Sequence, residues 1–242
     1  MPNWTENTLT INNLLAEEIE ELKTHIQENK LLSHYFPTPS ELDFGAQVND
    51  GTMLETWKTM PWFQALSPEE QKERVEHYEK TNLTPEQAEE LTARYGAFSG
   101  YWWNVNNWGT KWDIVDGTAD VEDGGSTLTA TFLTAWAPPK EGLELISKLF
   151  PNATFNLNYV ETGMDFMGTT IIKNGVSAEA FGKTPSELKA DWIDENHPGA
   201  YDEEEEDYNE EALEAFWDVE WDVYETAFSE LQERASRELI TA

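Results

Sequence analysis

Residues 112–136, WDIVDGTADVEDGGSTLTATFLTAW, decide the fold. Trp112–Val121 and Thr127–Trp136 are rich in threonine, valine, isoleucine and aromatic residues, which pack well on a pleated surface. Between them lies Asp123-Gly124-Gly125-Ser126, four residues suited to a tight turn. The stretch reads as a β-hairpin. Upstream, Thr5–Ile11 alternates, with Leu9 and Ile11 on one side, and reads as a first strand. After Asn12-Asn13, Leu14–Asn29 reads as a helix: Leu15, Ile19, Leu22 and Ile26 share a face, and Glu17, Glu18, Glu21 and Glu28 lie mostly off it. Downstream, Pro138-Pro139 precedes a helix over Glu141–Phe150, with Leu143 and Ile146 inward. Thr154–Glu161 and Phe166–Lys173 follow as strands, and Val176–Phe181 extends the meander.

Between the first helix and the hairpin the pattern changes. His34–Gly51 is a loop by its prolines and glycines, and Leu54–Phe63 is a short helix. Ser67-Pro68-Glu69-Glu70 and Thr84-Pro85-Glu86-Gln87 each combine an N-cap with proline at the first helical position, so each opens a helix. With this helical insert, about residues 52–95, set aside, the element order is βαββαβ. The expected class is α+β: a ferredoxin-like antiparallel sheet with two helices on one face over residues 1–190. On that face Ile19, Leu22, Leu143 and Ile146 should meet.

Residues 191–242 form a distinct acidic segment. They hold 19 acidic and 2 basic residues, a net of −17. Ala190–Pro198 reads as a connector, Asp202–Asp207 is an unbroken acidic run, and Glu210–Ile240 reads as one long helix. Its stripe of Leu213, Trp217, Trp221, Tyr224, Phe228, Leu231, Ala235 and Leu239 must be buried somewhere, which predicts docking on the parent domain and a monomer. From Asp202 to Glu238 there are 16 carboxylates over 37 residues. Drawn as one helix of about 55 Å, they would fall about 3.5 Å apart, near the phosphate spacing of a DNA strand. The surface expected to meet a partner comprises Asp202, Glu203, Glu204, Glu205, Glu206, Asp207, Glu210, Glu211, Glu214, Asp218, Asp222 and Glu225.

Composition narrows the function further. The 242 residues carry a net charge of −33, so direct binding to nucleic acid or to anionic membranes is disfavoured, and a basic protein is the natural partner. There is no cysteine, which removes disulfides, thiolate nucleophiles and zinc–thiolate sites. Pro2, Asn3 and Trp4 do not begin a signal peptide, so a cytoplasmic location is expected. None of the four histidines sits in a recognised ligand motif, and His25 reads as structural. No metal, cofactor or catalytic residue is expected. Tyr101, Trp102, Trp103, Trp108 and Trp112 with Asp113 or Glu161 would suit a carbohydrate-active enzyme, but core packing explains the rings more simply.

Several strings are more specific. They are Met1-Pro2-Asn3-Trp4 with Asn7, Leu9 and Ile11; Tyr95-Gly96-Ala97; Asn107-Trp108-Gly109-Thr110-Lys111-Trp112-Asp113; Thr134-Ala135-Trp136-Ala137-Pro138-Pro139; Phe150-Pro151; and Tyr159-Val160-Glu161 with Gly163. With them the chain resembles the Api-type ferredoxin-like domain proteins of phages, plasmids and genomic islands, over roughly residues 1–182. The resemblance implies a ferredoxin-like sandwich from a mobile element in a bacterial host, and no established activity. The acidic tail lies outside it. Read physically, Trp108 and Gly109 form a turn entering a strand, Lys111 and Asp113 share a strand face, and Lys111 pairs with Asp113 or Glu161; Trp136 completes the motif.

The expected function is therefore a non-enzymatic phage or mobile-element binding protein. Its acidic surface, a candidate DNA mimic, would block a basic nucleic-acid-binding site on a host defence protein such as a CRISPR or restriction nuclease. The alternatives are a structural or housekeeping module whose acidity is only solvation, and the carbohydrate-active enzyme.

Overall fold

The computed structural model describes residues 3–49, 51–122, 124–202, 205 and 207–241. The chain forms two compact units, Met1–Phe36 with Trp112–Ala242, and Pro37–Lys111. The first unit opens with β1 (Trp4–Asn12), α1 (Ala16–Gln27) and α2 (Leu31–Tyr35). The second holds α3 (Thr52–Thr59), α4 (Pro61–Gln64), α5 (Pro68–Thr81), α6 (Pro85–Tyr95) and α7 (Gly100–Trp108). The first unit resumes with β2 (Val115–Val121), β3 (Thr127–Ala135), α8 (Lys140–Ser147), β4 (Thr154–Glu161), β5 (Phe166–Lys173) and β6 (Val176–Phe181). It ends with α9 (Pro185–Asn196), β7 (Tyr201–Asp202), β8 (Asp207–Tyr208), α10 (Glu210–Trp217) and α11 (Glu220–Thr241). The insert is thus wider than 52–95, and the C-terminal segment is part of the first unit.

Among the described residues, six strands make one antiparallel sheet in the order β2-β3-β1-β4-β5-β6. The first four strands have the ferredoxin-like arrangement, and β5 and β6 extend it beyond β4. Register sorts the side chains into faces, because successive residues on a strand point to opposite sides. Leu9 lies opposite Ala130 and Leu157, and Ile11 opposite Leu128 and Phe155. All six are buried, as are Ile19, Leu22 and Ile26 of α1 and Leu143 and Ile146 of α8.

Both helices cover this face. Ser177 and Glu179 of β6 point the same way, and they take Glu144 and Lys140 of α8 as partners. The place of α1 is fixed by Gly117, where any Cβ would press on the Ile26 carbonyl. A large aliphatic side chain buried here contributes about 1.5–3 kcal/mol. The expected two-helix face is therefore present.

The other face is divided. Over β4, β5 and β6, Val160, Met167, Ile171, Ala178 and Ala180 pack against Tyr224, Phe228, Leu231 and Ala235 of α11. Over β1, β2 and β3 the same face carries threonines: Thr8, Thr10 and Thr129 are half-buried, and Thr118 and Thr131 are exposed and share a 2.8 Å hydrogen bond.

Several expectations need correction. The strand expected from Trp112 begins at Val115, and its register slips between Val115 and Thr118. The turn expected around Trp108 is the end of helix α7, closed by Gly109 at φ 82°. The connector at 190–198 is mostly α9, whose Thr184–Glu187 capping box opens it as Ser67 and Thr84 open theirs. The single helix over Glu210–Ile240 is two. Phe216 is buried with Ile193, Ala200 and Ala212, whereas Tyr224 belongs to the sheet cluster. Eight residues apart on a straight helix they would point about 80° apart, and the chain bends at Asp218-Val219 to bury both.

Candidate functional site

The acidic surface is the outer side of α10 and α11, which each bury their apolar side. Asn209 caps α10 by accepting from the Ala212 N–H at 3.0 Å, and Glu210 and Glu211 lie in its first turn, where the helix dipole favours negative charge. With Ala212 and Phe216 inward, Glu210, Glu211, Glu214 and Asp218 are exposed. With Tyr224, Phe228 and Leu231 on the sheet, Asp222, Glu225 and Glu230 are exposed in turn. No lysine or arginine occurs between Lys189 and Arg234. Beyond it, Arg237 pairs with Glu233 at 3.0 Å, and Arg234 donates to the Phe181 carbonyl.

Not every expected residue joins this surface in the expected way. Asp202 and Asp207 sit in the β7–β8 hairpin rather than on a helix, and Asp207 accepts from the Tyr208 N–H at 2.8 Å. Glu205 is exposed in the turn between them, and Glu203, Glu204 and Glu206 lie outside the described residues. Among the described residues, the carboxylates from Asp202 to Glu238 do not form a continuous helical ladder, because strands β7 and β8 and the break at Asp218 interrupt it. Trp217 and Trp221, expected in the buried stripe, are 60% and 45% exposed.

Two further features adjoin α11. A groove of about 720 Å³ runs beside α9 with Leu188, Trp192, Val223 and Ala227 in its wall and Lys183 and Arg234 at its edge. A second, near the start of α11, is lined by Glu6, Thr8, Asp116, Leu133 and Trp221. Poor hydration there, with the neighbouring Glu220 carboxylate, raises the Glu6 pKa. Tyr224 donates to Glu220 at 2.7 Å, and burial with that contact pushes its hydroxyl pKa up.

The motif residues have structural employment. Trp108 is buried. Lys111 places its Nζ 5.6 Å from the Tyr101 ring centre. Asp113 does not lie on a strand beside Lys111: it accepts from the Leu32 and Ser33 N–H groups at 3.0 and 2.9 Å and holds the start of α2. Glu161 is buried and accepts from the Gly163 and Met164 N–H groups at 2.9 and 2.5 Å. The two carboxylates weighed as catalytic acids are thus bound to backbone. Trp136 is 42% exposed at φ 73°, a backbone state that bulky residues rarely take, with its N–H on the Asn3 carbonyl.

One cluster was missed. Glu21 and His25 are four apart on α1, hence on one helix face, and α2 brings His34 to them. Burial, then the His34 ring, holds the His25 pKa below its ordinary value. The four-residue spacing was visible; the nearness of His34 was not.

Sheet order and helix placement define a ferredoxin-like α+β domain with an added helical layer. Residues 107–220 match the family model described as the ferredoxin-like domain in Api92-like protein. The match bears out the resemblance read from the strings that lie within it, and it covers a little under half of the chain. The match runs past Tyr201 to Glu220, so the hairpin and α10 lie inside the family segment and most of α11 beyond it. Protein api92 from Yersinia pseudotuberculosis has a crystal structure similar over 75% of this chain and 99% of that one, at 12% identity and a TM-score of 0.37. No curated protein sequence matches the chain. Among the described residues, no helix is long and apolar enough to cross a membrane.

Proposed function

We propose that the protein is a non-enzymatic binding module that offers the acidic outer face of α10 and α11 to a basic protein. One observation carries this reading: the two helices bury their apolar sides within the fold, leaving Glu211, Glu214, Asp218, Asp222 and Glu225 exposed on the same two helices as the exposed side chains of Trp217 and Trp221. Tryptophan is a preferred anchor at protein interfaces, and charge on the same surface steers the partner and sets its orientation. A surface already held in one shape loses little entropy on binding.

The partner in this reading is a host protein whose basic surface normally holds nucleic acid, such as a restriction or CRISPR-type defence nuclease, and the module acts by occupying it. The mimicry is of charge and not of regular phosphate spacing, since the carboxylates do not form one ladder. Capture from host lysate at low and high salt tests the proposal. The expected result is a basic nucleic-acid-binding protein retained at low salt and released at high salt. It should be lost when Glu214, Asp218, Asp222 and Glu225 are replaced by Gln or Asn. Capture of no such protein, or equal capture by the neutralised variant, refutes the proposal and leaves solvation as the reason for the acidity.

A further inference from the structure

Away from the acidic surface, α1 and α2 bring two imidazoles and a carboxylate together. Glu21 and His25 lie one turn apart on α1, and His34 on α2 closes the group. One ligand atom from each lies within 4.8 Å of the others. The His25 and His34 rings stack with centres 3.4 Å apart and planes 17° apart, and His34 Nε2 is 4.0 Å from Glu21 Oε1. The Tyr35 hydroxyl donates to Glu21 Oε1 at 3.0 Å and holds that carboxylate towards the rings.

We propose that Glu21, His25 and His34 form a binding site for one divalent transition-metal ion of the zinc type. Four observations support it. The donor set is two imidazoles and a carboxylate, which suits zinc, nickel, cobalt or copper; calcium and magnesium prefer oxygen alone. His25 Nδ1 is enclosed and has no hydrogen-bond partner among the described residues, a rare condition for a ring nitrogen. Coordination by Nδ1 itself gives that nitrogen a partner and puts the ring proton on Nε2.

The supports of the site are also in place. Asp113 fixes the start of α2, and so the position of His34, through two backbone N–H groups. The approach is open: a depression of about 650 Å³ beside the cluster has Glu17 and Glu18 in its rim, and their charge draws cations in. Bonds of about 2.0–2.1 Å to nitrogen and oxygen require the three side chains to close in. Glu21 and His34 are exposed and can turn, and His34 must tilt off the stack for both lone pairs to converge. Three protein ligands leave room for water on the ion.

The test is titration of tag-free full-length protein, stripped of metal, with Zn2+ and separately with Co2+. Calcium is kept in excess to fill the carboxylate surface. The expected result is one equivalent bound, and a visible Co2+ absorption of the kind imidazole ligation produces. Loss of an outer-shell partner costs about 10–100-fold in metal affinity, so His34→Ala, which removes a ligand, should weaken binding at least tenfold. Glu21→Gln should weaken it too, and His77→Ala, in the insert, should not. Unchanged melting of the metal-free His34→Ala protein shows that the fold is intact. No binding, binding displaced by calcium, or equal binding by wild type and His34→Ala each overturns the proposal, because the ion would then belong to the carboxylate surface.

Discussion

Replacing Phe228 by alanine tests whether α11 is held by its apolar side. Phe228 is 5% exposed and packs with Met167, Ile171 and Ala178, so truncation removes a whole ring from a closed cluster. Phe-to-Ala changes in cores cost about 3–5 kcal/mol. This cluster lies between one helix and the edge half of a sheet, where neighbours relax more easily, so the lower end, about 3 kcal/mol, is expected. With a urea slope of about 2–3 kcal/mol per molar, the midpoint should fall by about 1 M. Trp217→Ala is the control: at 60% exposure it should change stability by less than about 0.5 kcal/mol. Urea unfolding followed by circular dichroism gives both values. Amide exchange over α11 shows whether the loss is local undocking or global unfolding. A Phe228→Ala shift below about 1 kcal/mol, or an equal shift from Trp217→Ala, would mean the helix is held elsewhere and that the sheet cluster is not its anchor.

The remaining expectations concern the sheet and its charges. Glu179 accepts from Tyr159 at 2.6 Å and from Lys140 at 2.9 Å. Burial opposes the Lys140 charge, but the Glu179 bond and attraction outweigh it and hold its pKa above 10.5, while burial and then Glu179 raise that of Tyr159. Raised folded values mean stability that is complete below the unfolded values, about 10–10.4, and lost as pH climbs through the folded ones. Glu179→Gln should flatten that alkaline loss in melts taken across pH 9–12 (about the unfolded range and beyond), and an unaltered slope would refute the account. Glu6 follows the same rule at lower pH: burial, then the Glu220 charge, raises its value, so the fold penalises the carboxylate and stability falls as pH rises through its titration. Glu6→Gln should raise stability slightly at neutral pH and leave it unchanged below about pH 4, where the unfolded carboxyl is protonated; equal effects at both pH values would refute it. At Gly168, an added Cβ would run into the Tyr159 ring, which Glu179 keeps from moving aside. Gly168→Ala should therefore cost about 1–3 kcal/mol in thermal melts, and a neutral result would show that the ring yields.

The fold was legible where local pattern and long-range pairing agree. Leu9 and Ile11 alternate in the sequence because both face the two helices, and the turn residues after Val121 set the hairpin that supplies β2 and β3. Ser67 and Thr84 announced their helices because a capping box is a local device. The errors occurred where tertiary packing overrides a periodic pattern. Trp217 and Trp221 continue the stripe of α11 in sequence, yet the bend that buries Phe216 against α9 turns them outward. Asp113 looked like part of a strand because its neighbours are β-formers; its work is to cap a helix 80 residues earlier, which no local signal encodes. The acidic surface was visible as composition, and the His25–His34 pair was not, because it depends on how α1 and α2 cross.

The grip of Asp113 on Leu32 and Ser33 also governs how this domain tolerates its interruption. It ties the last helix before the Pro37–Lys111 insert to the first residues after it, so the chain leaves the sheet and returns at nearly one place. For an unstructured excursion, loop closure grows only as the logarithm of length, and a self-contained excursion with its own caps and core costs less still. The polypeptide between these two points is therefore free to lengthen, shorten or be exchanged without disturbing the pairing of β1 with β3 and β4. In relatives of this domain, variation in size should collect at that junction, and Asp113 or another helix-capping residue should remain beside it as the clasp.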